Sequence, residues 1–249
     1  MKRKELKEFL DQKVELYNRS DFIETDPIRV PHRYSLKEDI EISGFLTATI
    51  SWGNRKMIIR NAERLMEMMG NSPYDFVMES REDHIDEFVH RTFNLQDLQF
   101  FLKSLRNLYE SHGGLEGVFQ THAIGDSLQP AIHTFKKVFF EIEHPMRTTK
   151  HVSDPMKGSA AKRINMFLRW MIRKDPFGVD LGVWKSLSPS LLSCPLDVHT
   201  GRVARKLNLM KRKTNDARAL QELDKSLRAL DPDDPVRYDF ALFGLGVFE

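Results

Sequence analysis

Apolar residues recur at three- and four-residue steps along almost the whole chain, and alternating runs of β-branched residues are few. A strand needs apolar side chains at every second position to bury one face, whereas a helix needs them near every 3.6, so this spacing points to an all-α fold. Helices are expected over 2–18, from a Ser35 cap with Glu38 as its capping-box partner through the apolar stretch 40–50, and over 55–69, 73–79, 95–112, 115–121 and 126–142. Beyond a polar loop at 144–154, further helices are expected over 160–173, 181–184, 198–207, 216–230 and 235–245. Short helices joined by short loops, with no repeat at solenoid period, fit a two-lobed helical globule divided into 1–34, 35–150 and 151–249.

The same reading excludes several classes of protein. The longest apolar run, Phe240 to Phe248, has nine residues, well short of the ~18 to 20 that a membrane-spanning helix needs. Acidic and basic residues interrupt the first ten positions, so no secretory signal is expected and the chain reads as cytoplasmic. A single cysteine, Cys194, supports neither an internal disulfide nor a cysteine-ligated zinc or iron–sulfur site. The nine histidines show no tight ligand spacing, so neither a metal nor a cofactor is expected.

Charge is distributed unevenly. Lys150 to Lys213 holds fourteen Lys or Arg against four Asp, a net +10 in a chain whose total is +2, so the remainder is acidic by 8. An acidic body carrying a basic segment is the asymmetry of a polyanion binder, although a solvated lysine-rich surface gives the same count.

Three segments within or after that basic stretch could carry chemistry. In Asp154 to Leu168 a Pro/Gly turn runs directly into a helix, leaving backbone N–H groups free for an anion such as a phosphate, with Lys162 on the first turn. In Cys194 to Leu207, Asp197 sits where an N-cap belongs, and Arg202, Arg205 and Lys206 follow as a basic stripe. A cap of that kind favours the carboxylate, which is also the form that stabilises positive charge developing on a substrate. In Tyr238 to Phe248, Ala241, Gly244 and Gly246 permit close helix packing, and Phe240 and Phe243 offer flat faces for core or for a pocket wall.

Taken in order, Gly158-x-x-x-Lys162-x-x-Asn165-x-x-Leu168, Pro195-x-Asp197-x-His199-x-x-Arg202-Val203 and Ala241-Leu242-Phe243-Gly244 resemble the helix-hairpin-helix DNA glycosylase superfamily. The resemblance runs from about residue 35 to the C-terminus and is strongest over 157–209. It is most like a bacterial branch without an assigned activity, and the 35-residue separation of Lys162 and Asp197 is similar to that of the archaeal 8-oxoguanine glycosylases. The hairpin of that superfamily usually has two glycines two apart, where this chain has Gly158 and Ala160.

The resemblance implies a two-lobed helical fold with the active site in the cleft, and excision of an oxidised base, 8-oxoguanine favoured, from damaged double-stranded DNA. Lys162 would attack C1′ of the deoxyribose and form a Schiff base able to break the strand by β-elimination, assisted by Asp197. Lys157, Gly158, Ser159, Ala160, Arg163, His199, Arg202 and Arg205 would contact DNA. Trp52, Asn54, Phe240 and Phe243 would wall the pocket for the flipped base, with Trp52 or Asn54 filling the gap it leaves. Such a protein would be a nucleoid-associated monomer without an iron–sulfur cluster. The competing reading is a DNA-binding protein that keeps the fold without the chemistry.

Overall fold

A computed structural model describes residues 2–249 and is mostly helical. In chain order the helices are α1 (Arg3–Tyr17), α2 (Asp21–Thr25), α3 (Lys37–Thr49), α4 (Arg55–Met68), α5 (Pro73–Met78), α6 (Leu95–Ser111), α7 (Gly114–Thr121), α8 (Gln129–Phe139), α9 (Lys162–Ile172), α10 (Val198–Lys206), α11 (Ala217–Leu230) and α12 (Tyr238–Phe248). Before α6, β1 (Val89–His90) and β2 (Phe93–Asn94) form a minimal antiparallel pair. Among the described residues no helix is long and apolar enough to cross a membrane.

Two hydrophobic cores organise these elements. The first is centred on α3, whose residues from Asp39 to Thr49 are all buried, which explains why its sequence is apolar on every side rather than on one stripe. Phe45 of α3 lies among Phe101, Phe135, Phe139 and Phe167, with ring centres 5.4 to 5.8 Å away. The most buried acid of α3, Glu41, is satisfied by the Tyr109 hydroxyl and the Trp184 indole N–H, both 2.6 Å away, as a polar group in a dry interior must be. The second core joins the ends of the chain: Leu10 and Val14 of α1 pack with Leu220, Leu223 and Leu227 of α11 and with Tyr238, Ala241 and Leu242 of α12. Tyr17 stacks on Phe248 at 5.7 Å, and Gly244 lets that ring lie directly on the α12 backbone.

The periodic segments fold as their spacing predicts, and the departures have local causes. Leu181 to Trp184 is not helical. Its N–H groups instead bond the carbonyls of Trp170 and Met171 at the end of α9, at 2.8 to 3.1 Å, satisfying groups a helix terminus leaves open. Ser35 makes no cap, because α3 starts after Leu36 without a side-chain cap bond. The expected 144–154 loop contains a 3-10 turn, Met146–His151. α8 starts only at Gln129, with Pro130 in its first turn, where the missing N–H costs nothing.

Candidate active site

α9 begins from a tightly held turn. Gly158 adopts φ +87° and Ala161 φ +44°, both left-handed, and Ala161 is a position where a side chain opposes that backbone. Its geometry is fixed by the Ser159 hydroxyl, which accepts the Ala161 N–H at 3.1 Å, and by the Asn165 amide, which donates to the Ala160 carbonyl at 2.9 Å. The side chain of the next residue, Lys162, enters a pocket of about 580 Å³.

That pocket gathers residues from both cores. Lys162, Arg163 and Arg169 come from α9, Asp197 and His199 from the start of α10, Asp239, Phe240 and Phe243 from α12, and Trp52 and Asp26 from the N-terminal half. Asp197 caps α10, its carboxylate accepting the Thr200 N–H at 2.8 Å, and its carbonyl accepts the Asn215 amide at 2.6 Å. The cap is satisfied along the helix axis, which leaves the rest of the carboxylate at the pocket wall.

Burial dominates the electrostatics. It pulls the Lys162 amine below the ordinary lysine value, helped by the Arg163 charge and opposed by the negative charges of Asp197, Asp26 and Asp239. Among the described residues no carboxylate oxygen lies within 4.0 Å of that amine, so it is influenced by acids without being locked into an ion pair. Asp239 is pushed up to about 6, first by burial and then by the Asp197 charge, although Arg169 opposes the shift through a 2.5 Å bond. Burial also raises Asp26, whose carboxylate accepts the Ile28 N–H at 3.1 Å.

Flat rings and cations line the walls. The Arg163 guanidinium lies 4.8 Å from the centre of Trp52 and donates to the carbonyls of Thr49 and His151. Trp52 also packs edge-on against His90 at 5.1 Å. Arg169 lies 4.4 Å from the Phe240 ring, and Arg55 lies 5.1 Å from Phe243.

Several sequence-predicted residues therefore meet in one place: Lys162, Asp197, Ser159, Ala160, Arg163, His199, Trp52, Phe240 and Phe243 all line the pocket. Others do not. Asn54 caps α4 by accepting the Met57 N–H at 3.1 Å and stays outside the wall, because its carbonyl is committed to a helix start. Lys157 and Gly158 are exposed on the turn. Arg202 reaches the Gly246 carbonyl at 2.5 Å, and Arg205 spans the Arg212 carbonyl and the Asn215 side chain. Sequence reasoning missed Asp26, Arg169, Asn215 and Asp239. Asp26 precedes Pro27 in the pattern of a capped turn, and Asp239 is the one acid in an otherwise apolar helix, a placement that costs energy unless it is partnered or used.

A mostly helical protein with a lysine and three carboxylates in one aromatic-walled pocket is what the fold and the site define. The chain belongs to the DUF2400 family, described as a protein of unknown function, whose profile matches residues 26–248. No curated protein and no solved structure matches the chain.

Proposed function

We propose that the protein is a DNA glycosylase with AP-lyase activity that removes an oxidised base, 8-oxoguanine favoured, from double-stranded DNA. The observation that carries this reading is the shared pocket of Lys162 and Asp197: the two lie 35 residues apart in the chain, and the amine is depressed by burial without being ion-paired. A lone pair on nitrogen is what the reaction needs first.

In the proposed reaction the neutral Lys162 amine forms a bond to C1′ while the electrons of the N-glycosidic bond leave with the base, which takes up a proton. Asp197, one of its carboxylate oxygens committed to the α10 cap, stabilises the cationic character of the sugar. The nitrogen then gives one of its two protons to O4′ as the C1′–O4′ bond breaks and the nitrogen lone pair forms an iminium, and loss of a proton from C2′ breaks the C3′–O bond and expels the 3′ phosphate. Trp52, Phe240 and Phe243 line the pocket that would receive an extruded base, with guanidinium groups already against the first two rings. That the pocket draws lining residues from two separate hydrophobic cores, Ala161 from one and Ala160 and Leu196 from the other, supports a two-lobed arrangement in which duplex DNA would lie across the cleft. No step draws on a metal or cofactor, and a monomer suffices for it.

The test is a cleavage assay on duplexes carrying 8-oxoguanine opposite each of the four bases. Release of the free base with a nick 3′ to the site supports the proposal. Duplex binding without release of any base supports a DNA-binding protein that keeps the fold without the chemistry.

A further inference from the structure

The loop before α11 carries the sequence Lys211-Arg212-Lys213-Thr214-Asn215-Asp216, followed by Arg218 on the first turn of the helix. A flexible basic loop would count for little, but this one is stapled in place. One carboxylate oxygen of Glu222 accepts the N–H groups of both Lys211 and Arg212, at 2.7 and 3.1 Å. Arg212 pairs with Asp216 at 2.6 Å, and its carbonyl accepts Arg205 Nε at 2.7 Å. Those bonds use the backbone and Arg212. Lys211, Lys213 and Arg218 are exposed, and among the described residues none of the three has an ion-pair partner within 4.0 Å.

The loop is also built onto the turn that leads into the site. Ser159 and Asp216 form an antiparallel bridge, and the Ala217 N–H bonds the Gly158 carbonyl at 3.0 Å. This brings the exposed Lys157 and Gly158 alongside the exposed loop cations. On the pocket side, Asn215 is a lining residue and holds the Asp197 carbonyl at 2.6 Å. One rigid strip therefore runs from unpaired cations at the surface to the carboxylate at the pocket wall.

We propose that Lys211, Lys213 and Arg218 form a second backbone anchor for a nucleic-acid duplex, placed beside the 157–161 turn so that the two grip the phosphates flanking the pocket. This rests on the DNA reading of the site and specifies where the strand is held. Fixing the scaffold in advance means that a phosphate contact orders only the side-chain tips, and each contact releases condensed counterions from the duplex. An anchor tied through Asn215 to Asp197 also sets the register of the bound strand against the reacting groups.

The experiment measures binding of an undamaged 25-base-pair duplex at several salt concentrations between 50 and 200 mM. Three proteins are compared: wild type, the Lys211→Gln/Lys213→Gln/Arg218→Gln variant, and a control with Lys4→Gln/Lys103→Gln/Lys137→Gln, exposed positions on α1, α6 and α8. Three lost phosphate contacts reduce the slope of log affinity against log salt by roughly 2 to 3 and weaken binding at 0.1 M salt on the order of 100-fold. The control should stay close to wild type, and the thermal midpoint of the loop variant should not move, because the substituted side chains hold nothing in the fold. If wild type binds and the loop variant matches it within about twofold with an unchanged slope, the anchor is overturned and the DNA reading stands. If wild type shows no salt-dependent duplex binding, both are overturned.

Discussion

Replacing Arg169 with Met tests the electrostatic account of the pocket without touching Lys162 or Asp197. The guanidinium is buried, bonded to Asp180 at 3.1 Å and to Asp239 at 2.5 Å, and Met keeps much of its volume. Asp180 retains Arg173 at 2.9 Å, so the carboxylate left without a cation is Asp239, which keeps only the Thr200 hydroxyl at 3.4 Å and the Cys194 thiol at 3.5 Å. Removing one partner of a buried pair costs about 3 to 5 kcal/mol. For a chain of this size that corresponds to a fall in Tm of roughly 6 to 20 °C. The loss must also depend on pH. Asp239 already sits at about 6, above its ordinary 3.8, and without Arg169 it rises further. A carboxyl whose folded value is raised gives its full stability when protonated, below about pH 4, and loses it as pH climbs through the folded value. The variant's deficit should therefore be small near pH 4 and largest at pH 8, and adding Asp239→Asn should recover much of it. Thermal unfolding followed by circular dichroism across that range gives the answer. A deficit that is flat with pH, or under about 1 kcal/mol at pH 8, would show that Asp239 does not depend on Arg169 for its charge.

Other outcomes follow from the same structure. Asp224, raised to about 6 by burial, accepts the Cys194 N–H at 3.0 Å. Its stability is therefore present below 3.8 and lost as pH passes about 6, so Asp224→Asn, which keeps the acceptor, should stabilise the protein by up to about 3 kcal/mol at pH 7 and not at all near pH 3 in urea melts. Gly244→Ala places a Cβ into the Tyr17 ring and should cost about 1 to 3 kcal/mol by parting α1 from α12, read as a lowered urea midpoint. The rate of covalent capture of an abasic site should rise with pH and level off below the 10.5 of an ordinary lysine. That profile should move to lower pH in Asp239→Asn, because the lost carboxylate had been holding the proton on Lys162; a profile that moves upward would contradict this.

How much of this is legible in the sequence depends on the range of the interactions. α4, α6, α10 and α11 carry strong amphipathic patterns and side-chain caps at Asn54, Asn94, Asp197 and Asp216, so local chemistry alone marks where they begin. α3 can be read as a helix but not as the centre of a core, since a helix buried all round has no stripe to show which way it faces. The segment 181–184 has helix-compatible residues and fails as a helix because the open carbonyls of α9, distant in nothing but chain order, compete for its N–H groups. In the site, Lys162 and Asp197 stand out because their turns are local signatures. Asp26 and Asp239 do not, since a carboxylate becomes informative only when burial and the neighbours that enforce it are known, and those neighbours, Arg55 of α4, Arg169 of α9 and the Asp197 cap of α10 among them, lie far away in the chain. Asn215 is similarly silent in one dimension: its two bonds reach back 18 residues to Asp197 and 10 to Arg205.

Borohydride reduction of the protein mixed with duplex DNA carrying 8-oxoguanine or an abasic site reports on the proposed role of Lys162 as a nucleophile sharing its pocket with Asp197. Reduction converts a Schiff base into a stable amine, so wild type should give a covalent protein–DNA band on denaturing gels, with the attached residue identified by peptide mapping as Lys162. Lys162→Ala should bind duplex nearly as well and give no band, and Asp197→Asn should give the band more slowly on the base-bearing duplex. A band of undiminished intensity in Lys162→Ala, or no band from a wild-type protein that binds both duplexes, would contradict the account.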